Sequence, residues 1–242
     1  MITIGSVARE EIEAAAARTR HVIRHTPITL IEPGAFPGTV MLKLEQLQHA
    51  GTVTVRGLFN LIVYALEQRS FDADAGLVSF GDDGVRVAAE HVARALDLPL
   101  HFAEDRSAAC AYGLATGALL CDPESPEAIT GLGTVGLELW TQTLGRLDTV
   151  IVSAGPLAVG IEAALGGQAR VLLASATPDR AAYARRTLWR ERRLAVDEAT
   201  AVAYAYLQDS YLMRPDEHVA LVLAGALTDP SDLIGLVGLL PR

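Results

Sequence analysis

Residues 148–175, DTVIVSAGPLAVGIEAALGGQARVLLAS, show a clear succession of apolar and helical patterns. An apolar run at 148–153 is followed by a Gly-Pro turn, a predicted helix at 157–165 and a second apolar run at 170–175. Apolar runs without alternation are typical of strands that are buried on both faces, and a helix between two such strands is the usual crossover of a parallel sheet. The stretch therefore predicts a strand–helix–strand unit.

The same alternation of strand and helix extends along the rest of the chain. Apolar strand patterns occur at 40–45, 77–80, 99–102 and 219–223, and helical patterns occur at 56–67, 85–96, 134–144 and 197–207. Strands that alternate with helices are typical of α/β proteins. We therefore predict an α/β fold with a mostly parallel sheet and helices on both faces.

Composition excludes several classes of protein. The chain has 242 residues, half of them hydrophobic, with 20 basic and 29 acidic side chains and a net charge of −9. This balance excludes disorder for most of the chain and argues against nucleic-acid binding. No apolar run is long enough for a membrane span, and no signal peptide is recognisable. Two cysteines, Cys110 and Cys121, are too few for a disulfide framework or a metal cluster. We expect a cytoplasmic protein with no metal site and no membrane or nucleic-acid partner.

Three local motifs each allow a functional and a structural interpretation, and we favour the structural one in each case. The run 131–136 (GLGTVG) matches the G-x-G-x-x-G pattern of dinucleotide sites, but loop-forming residues precede it, so we predict a loop that enters a helix. Asp82 and Asp83 form either a cation or amine site or an acidic pair at a helix N-terminus. Six arginines between positions 180 and 193 form either a phosphate patch or a solvated helix face.

Six segments in sequence order carry a resemblance to a known family. They are 24–28 (RHTPI), 42–48 (LKLEQLQ), 51–60 (GTVTVRGLFN), 79–84 (SFGDDG), 126–138 (PEAITGLGTVGLE) and 222–226 (VLAGA). Together they resemble the threonine and serine dehydratases, which are fold-type II enzymes that use pyridoxal phosphate and are related to the tryptophan synthase β subunit. The resemblance implies a large domain from residues 1–70 and 125–242. It also implies a second, reduced small domain at 71–124.

The resemblance also implies that the cofactor contacts are missing. The position of the imine-forming lysine is Thr54, and the only lysine in the chain, Lys43, corresponds to a lysine of the preceding strand. The pair Asp82-Asp83 replaces the residues that contact the cofactor ring, and Ala224 replaces a serine near the pyridine nitrogen. In the family a loop of four glycines binds the phosphate, and here the loop is Ser153-Ala154-Gly155-Pro156. Pro156 has no N–H to donate, and the two added Cβ atoms would crowd an anion. We therefore expect that the ancestral pyridoxal phosphate has been lost and that no cofactor is bound.

A cleft is expected to remain where the cofactor lies in the family. By resemblance its residues are Thr52, Thr54, Arg56, Asn60, Gly81, Asp82, Asp83, Gly84, Ser153, Gly155 and Ala224. None of them is an evident catalytic residue. Fold-type II proteins are usually dimers, which implies a homodimer or a heterodimer with an active homologue.

The sequence is compatible with three functions. The first is a pseudoenzyme that acts as a partner or regulator of another protein. The second is an enzyme or binding protein for a small amine or amino acid in the remaining cleft, which suits the acidic pair. The third is a cofactor-dependent ammonia-lyase that works without a lysine imine.

Overall fold

Two β-sheets organise residues 7–229, which are the residues that this computed structural model describes. The strands are β1 (Ile28–Leu30), β2 (Thr39–Lys43), β3 (Leu77–Ser79), β4 (Leu100–Phe102), β5 (Leu119–Cys121), β6 (Thr149–Ser153), β7 (Arg170–Ala174) and β8 (His218–Val222). The α-helices are α1 (Arg9–Thr19), α2 (Thr54–Gln68), α3 (Asp83–Ala95), α4 (Arg106–Thr116), α5 (Pro126–Gln142), α6 (Pro156–Leu165), α7 (Pro178–Arg192) and α8 (Glu198–Asp209). Two 3₁₀ turns lie at Glu45–Leu47 and His49–Gly51.

The larger sheet has five strands in the order β1-β2-β8-β6-β7. Only β1 is antiparallel to its neighbour. One face packs against α7 and α8 through side chains such as Leu188 and Tyr204, and the other packs against α5 and α6 through Val135 and Ile161. Because the central strands β2, β8 and β6 are mostly buried, their sequences are nearly continuous apolar runs. The prediction of a mostly parallel α/β sheet with helices on both faces is confirmed.

The smaller sheet has three parallel strands in the order β4-β3-β5. Leu77 of β3 packs in the cluster formed with α2 and α3, and its neighbour Val78 packs with α4 on the opposite face. Helix α2 also crosses α5, where Gly57 approaches the carbonyl oxygen of Ala128. Helix α2 therefore packs against both the smaller sheet and the helix layer of the larger one.

The run 131–136 is not a loop, and the prediction made for it was wrong. It lies inside α5, which begins at Pro126 with Ser125 as its N-cap. The Ser125 hydroxyl accepts a hydrogen bond from the Ala128 N–H at 3.2 Å, and proline is well suited to the first helical position. The Ser-Pro-Glu sequence is therefore a helix start and was mistaken for a loop. The glycines allow close crossing of helices, since a Cβ at Gly133 would lie 2.8 Å from the Gly160 oxygen.

Candidate functional site

A cleft of about 370 Å³ lies where the carboxyl ends of strands meet the starts of helices. The end of β6 and the segment after β8 form one side, and the N-terminal ends of α2, α3 and α8 form the rest. In parallel α/β sheets this edge is the usual place for a binding site. The lining residues are Thr52, Val53, Thr54, Asp82, Asp83, Gly84, Ser153, Asp197, Ala199, Thr200, Ala224, Gly225 and Leu227.

Hydrogen bonds fix several polar groups of the cleft. The Thr52 and Thr54 hydroxyl oxygens are 3.1 Å apart, and the Ser153 hydroxyl donates to a backbone carbonyl oxygen at 2.7 Å. Asp82 and Asp197 are N-caps, and each accepts a backbone N–H bond through Oδ1, at 3.0 and 2.8 Å respectively. These caps explain locally why α3 and α8 begin at the cleft, because a carboxylate satisfies the free N–H groups of a first turn.

The cleft is acidic. Asp82, Asp83 and Asp197 line it, and none of the described lining residues is lysine, arginine or histidine. A second cavity of about 240 Å³ shares Val53, Thr54 and Asp82 with it. The rest of that cavity is mainly apolar and includes Leu58, Val85, Leu132 and Leu157. The two cavities therefore offer an acidic region beside an apolar one.

The structure brings most of the predicted residues together. Thr52, Thr54, Asp82, Asp83, Gly84, Ser153 and Ala224 all line the cleft. Gly81 and Gly155 directly precede lining residues of the two cavities. Two further polar side chains of the cleft, Asp197 and Thr200, were not predicted. Asp197 could have been found, because an acidic N-cap of a helix in an α/β fold faces the same sheet edge.

Arg56 lies outside the cleft, and its assignment there was wrong. Its side chain is 0% exposed and donates to Glu45 at 2.8 and 2.9 Å and to Glu138 at 2.7 and 3.0 Å. Burial opposes the charge of Arg56, but the carboxylates of Glu45 and Glu138 raise its pKa above the ordinary value. Thr54 and Arg56 are two positions apart in α2, about 200° around the helix, so they point to opposite sides.

Asn60 also lies outside the cleft. Its Oδ1 accepts a hydrogen bond from Arg18 at 2.6 Å, and its Nδ2 donates to the Glu127 carbonyl oxygen at 2.7 Å. Asn60 therefore joins α2 to α1 and α5. Its role is to hold helices together, and the prediction of a cleft position was wrong.

Lys43 belongs to the same buried cluster as Arg56. Its Nζ donates to Glu138 at 2.6 Å, to the Thr26 carbonyl oxygen at 2.8 Å and to Gln142 at 3.1 Å. Burial lowers the pKa of Lys43, and the carboxylates of Glu45 and Glu138 oppose that shift. None of these partners lines the cleft. Since the chain has no other lysine, no lysine amine faces the cleft.

Two structural features bear on metals and membranes. Among residues 7–229, no three His, Cys, Asp or Glu side chains are grouped so that they could hold a metal ion. Each helix in that part of the chain is too short or too polar to cross a membrane.

The chain is similar to known proteins in three-dimensional structure. No protein-family model and no curated protein sequence matches the chain. Maize serine racemase is similar with a TM-score of 0.82 and 19% identity, over 96% of this chain and 98% of that one. A threonine deaminase from T.th. has a TM-score of 0.79 and 20% identity, over 92% and 99% of the two chains. A pyridoxal 5′-phosphate-dependent aspartate racemase has a TM-score of 0.81 and 19% identity, over 94% and 98%.

These similarities establish the fold. The chain has the fold-type II architecture shared by serine racemase, threonine deaminase and aspartate racemase. The resemblance seen in the sequence therefore extends to the three-dimensional structure, at an identity of 19–20%.

Proposed function

We propose that this chain is a pseudoenzyme with the dehydratase fold, which has lost pyridoxal phosphate and uses its cleft to bind a small amine. The observation that carries the proposal is the position of Lys43, buried against Glu138 at 2.6 Å and away from the cleft. Imine chemistry needs an accessible, uncharged amine, and Thr54 at the entrance of α2 has only a hydroxyl. A cofactor-dependent ammonia-lyase that works without a lysine imine would still have to bind the cofactor phosphate, which the carboxylates of Asp82, Asp83 and Asp197 disfavour.

The phosphate end of the cleft supports loss of the cofactor. Helix α6 begins at Pro156, which has no N–H to offer an anion, and the Ser153 hydroxyl is already bonded to a backbone carbonyl oxygen. The carboxylates of Asp82, Asp83 and Asp197 would repel a phosphate dianion. We infer that these residues do not fit pyridoxal phosphate.

Charge complementarity supports an amine as the ligand. The carboxylates of the cleft attract an ammonium group, and the hydroxyls of Thr52 and Thr54 can accept its N–H bonds. The adjoining cavity has the apolar surface to hold a hydrocarbon chain. A ligand with its own carboxylate is less suitable, because that group would meet Asp82 and Asp83. We therefore favour an amine with an apolar tail.

Calorimetric titration with hexylamine and hexan-1-ol tests this proposal. Hexylamine is expected to bind saturably, and hexan-1-ol, which has the same chain without the charge, is expected to bind much more weakly. The double variant Asp82→Asn, Asp83→Asn should weaken hexylamine binding by about tenfold or more, equivalent to about 1.4 kcal/mol. Asparagine still caps a helix, so α3 should stay folded.

Asp74→Asn is the matched control, because Asp74 is exposed and lies outside both cavities. It should bind hexylamine as the wild type does. Equal binding of hexylamine and hexan-1-ol, or no binding of either, would contradict the amine proposal. Neither result would test the proposed loss of cofactor chemistry.

A role as a partner of another chain is the second candidate. The two edge strands of the five-stranded sheet expose large apolar side chains, with Leu30 of β1 61% exposed and Leu173 of β7 58% exposed. An exposed apolar edge strand is a template for pairing with another chain. These edges support a homodimer or a heterodimer with an active homologue.

A further inference from the structure

Two histidines are stacked between a 3₁₀ turn and α3. His49 belongs to the 3₁₀ turn that directly precedes Thr52, and His91 belongs to α3, which begins at Asp83 with Asp82 as its N-cap. The imidazole centroids are 4.7 Å apart with an interplanar angle of 16°. Phe59 of α2 meets the His91 ring edge-on at 6.0 Å.

The charged groups that act on this pair are both arginines. Arg24 comes from the segment between α1 and β1, where its backbone N–H donates to Gln48 and its Nη1 donates to the Leu47 carbonyl oxygen, each at 2.9 Å. Arg94 comes from α3 itself. Phe59, which contacts the His91 ring, is uncharged. A proton added to either imidazole would therefore join an environment that is already positive.

The surroundings of His49 and His91 lower the pKa of both imidazoles. Burial lowers the pKa of His49, and the charges of Arg24 and His91 lower it further. Burial also lowers the pKa of His91, with added contributions from Arg94 and Arg24. Both rings are accordingly neutral at pH 7, which permits the stack.

We propose that the His49–His91 stack is a pH-sensitive latch that ties α3 to the turn before α2 and so fixes the two walls of the cleft. At neutral pH the neutral rings pack face to face. Protonation places two cations within stacking distance and beside Arg24, so the contact opens. Asp82 and Asp83 then lose their fixed position relative to Thr52 and Thr54. The latch does not depend on what the cleft binds.

The direction of the pH effect follows from proton linkage. The pKa of each histidine is lower in the closed contact than its ordinary value of about 6.5, so the open form binds more protons. The contact is fully stable above about pH 6.5. Its stability is lost progressively as the pH falls below that value.

Amide hydrogen exchange of the full chain between about pH 7.5 and pH 5.5 tests the latch. After correction for intrinsic exchange rates, protection of α3 should fall severalfold relative to α5 in the wild type. His91→Phe keeps a flat ring but removes one of the two titrating imidazoles and hence the repulsion between two cations, so its α3 protection should change much less with pH than that of the wild type. His49→Phe should behave in the same way, and it provides the test if His91→Phe folds poorly.

His101→Phe is the matched control, because His101 of β4 stacks on Tyr112 at 4.1 Å and not on another histidine. It should retain the wild-type pH dependence of α3. A wild-type α3 whose protection is independent of pH would overturn the proposal. So would a pH dependence that persists unchanged in both His91→Phe and His49→Phe.

Discussion

Arg56 shares two buried carboxylates, Glu45 and Glu138, with Lys43, so the cluster contains two positive and two negative side chains. Removing one partner of a buried ion pair leaves an uncompensated charge in the interior. Arg56→Met should therefore lower the free energy of unfolding by about 3–5 kcal/mol. Chemical denaturation followed by circular dichroism measures this.

Arg180 provides the control for that prediction. It pairs with Asp209 on the surface, where an ion pair contributes only about 0–1 kcal/mol. Arg180→Met should therefore have little effect on unfolding. If Arg56→Met is no more destabilising than Arg180→Met, the buried cluster does not stabilise the fold as described.

At the residue scale, the sequence predicted the identity of the cleft residues better than their orientation. Thr54, Asp82 and Ser153 line one cleft because they lie at the starts of helices or the end of a strand. Arg56 and Asn60 were wrongly assigned to the cleft because all polar residues of the motif 51–60 were assumed to face the same side. A helix turns about 100° per residue, so neighbours in a motif face different directions.

At the element scale, α5 and α6 cross at glycines that leave no room for a side chain. A Cβ at Gly160 would lie 2.6 Å from the Ile129 carbonyl oxygen and 2.7 Å from the Gly133 nitrogen. Gly160→Ala should destabilise the protein by about 1–3 kcal/mol, although alanine is the better helix former. Thermal unfolding measures this loss.

Glu162→Ala is the control on the same helix, since Glu162 is exposed. Its effect should stay within about 0.5 kcal/mol. A stabilising Gly160→Ala would show that the two helices do not cross as closely as the structure places them.

Elements with strong apolar patterns were predicted well, and weakly patterned elements were missed. Strands β6, β7 and β8 lie within a residue of their predicted bounds because each has a continuous apolar sequence, which burial explains for β6 and β8. Helix α4 was not predicted, since only Ala109 of its residues is buried and its apolar spacing is poor. The start of α5 was missed because its capping residues are also common in loops.

At the scale of the whole molecule, we propose that two chains associate. The exposed edge strands favour a homodimer, with a mass twice the 25.7 kDa of the chain. Sedimentation at micromolar concentration should give that mass. A monomer, both alone and mixed with an active homologue, would contradict the partner role and leave ligand binding as the proposed function.

Titration with pyridoxal phosphate tests the proposed loss of imine chemistry. The wild type should develop no visible imine band that borohydride fixes onto Lys43, because that amine is buried against Glu138. The variant Thr54→Lys restores an amine to the cleft but not the phosphate contacts, so it should still form no 2-oxobutyrate from L-threonine. An imine reduced onto Lys43, identified by peptide mass spectrometry, would contradict the account.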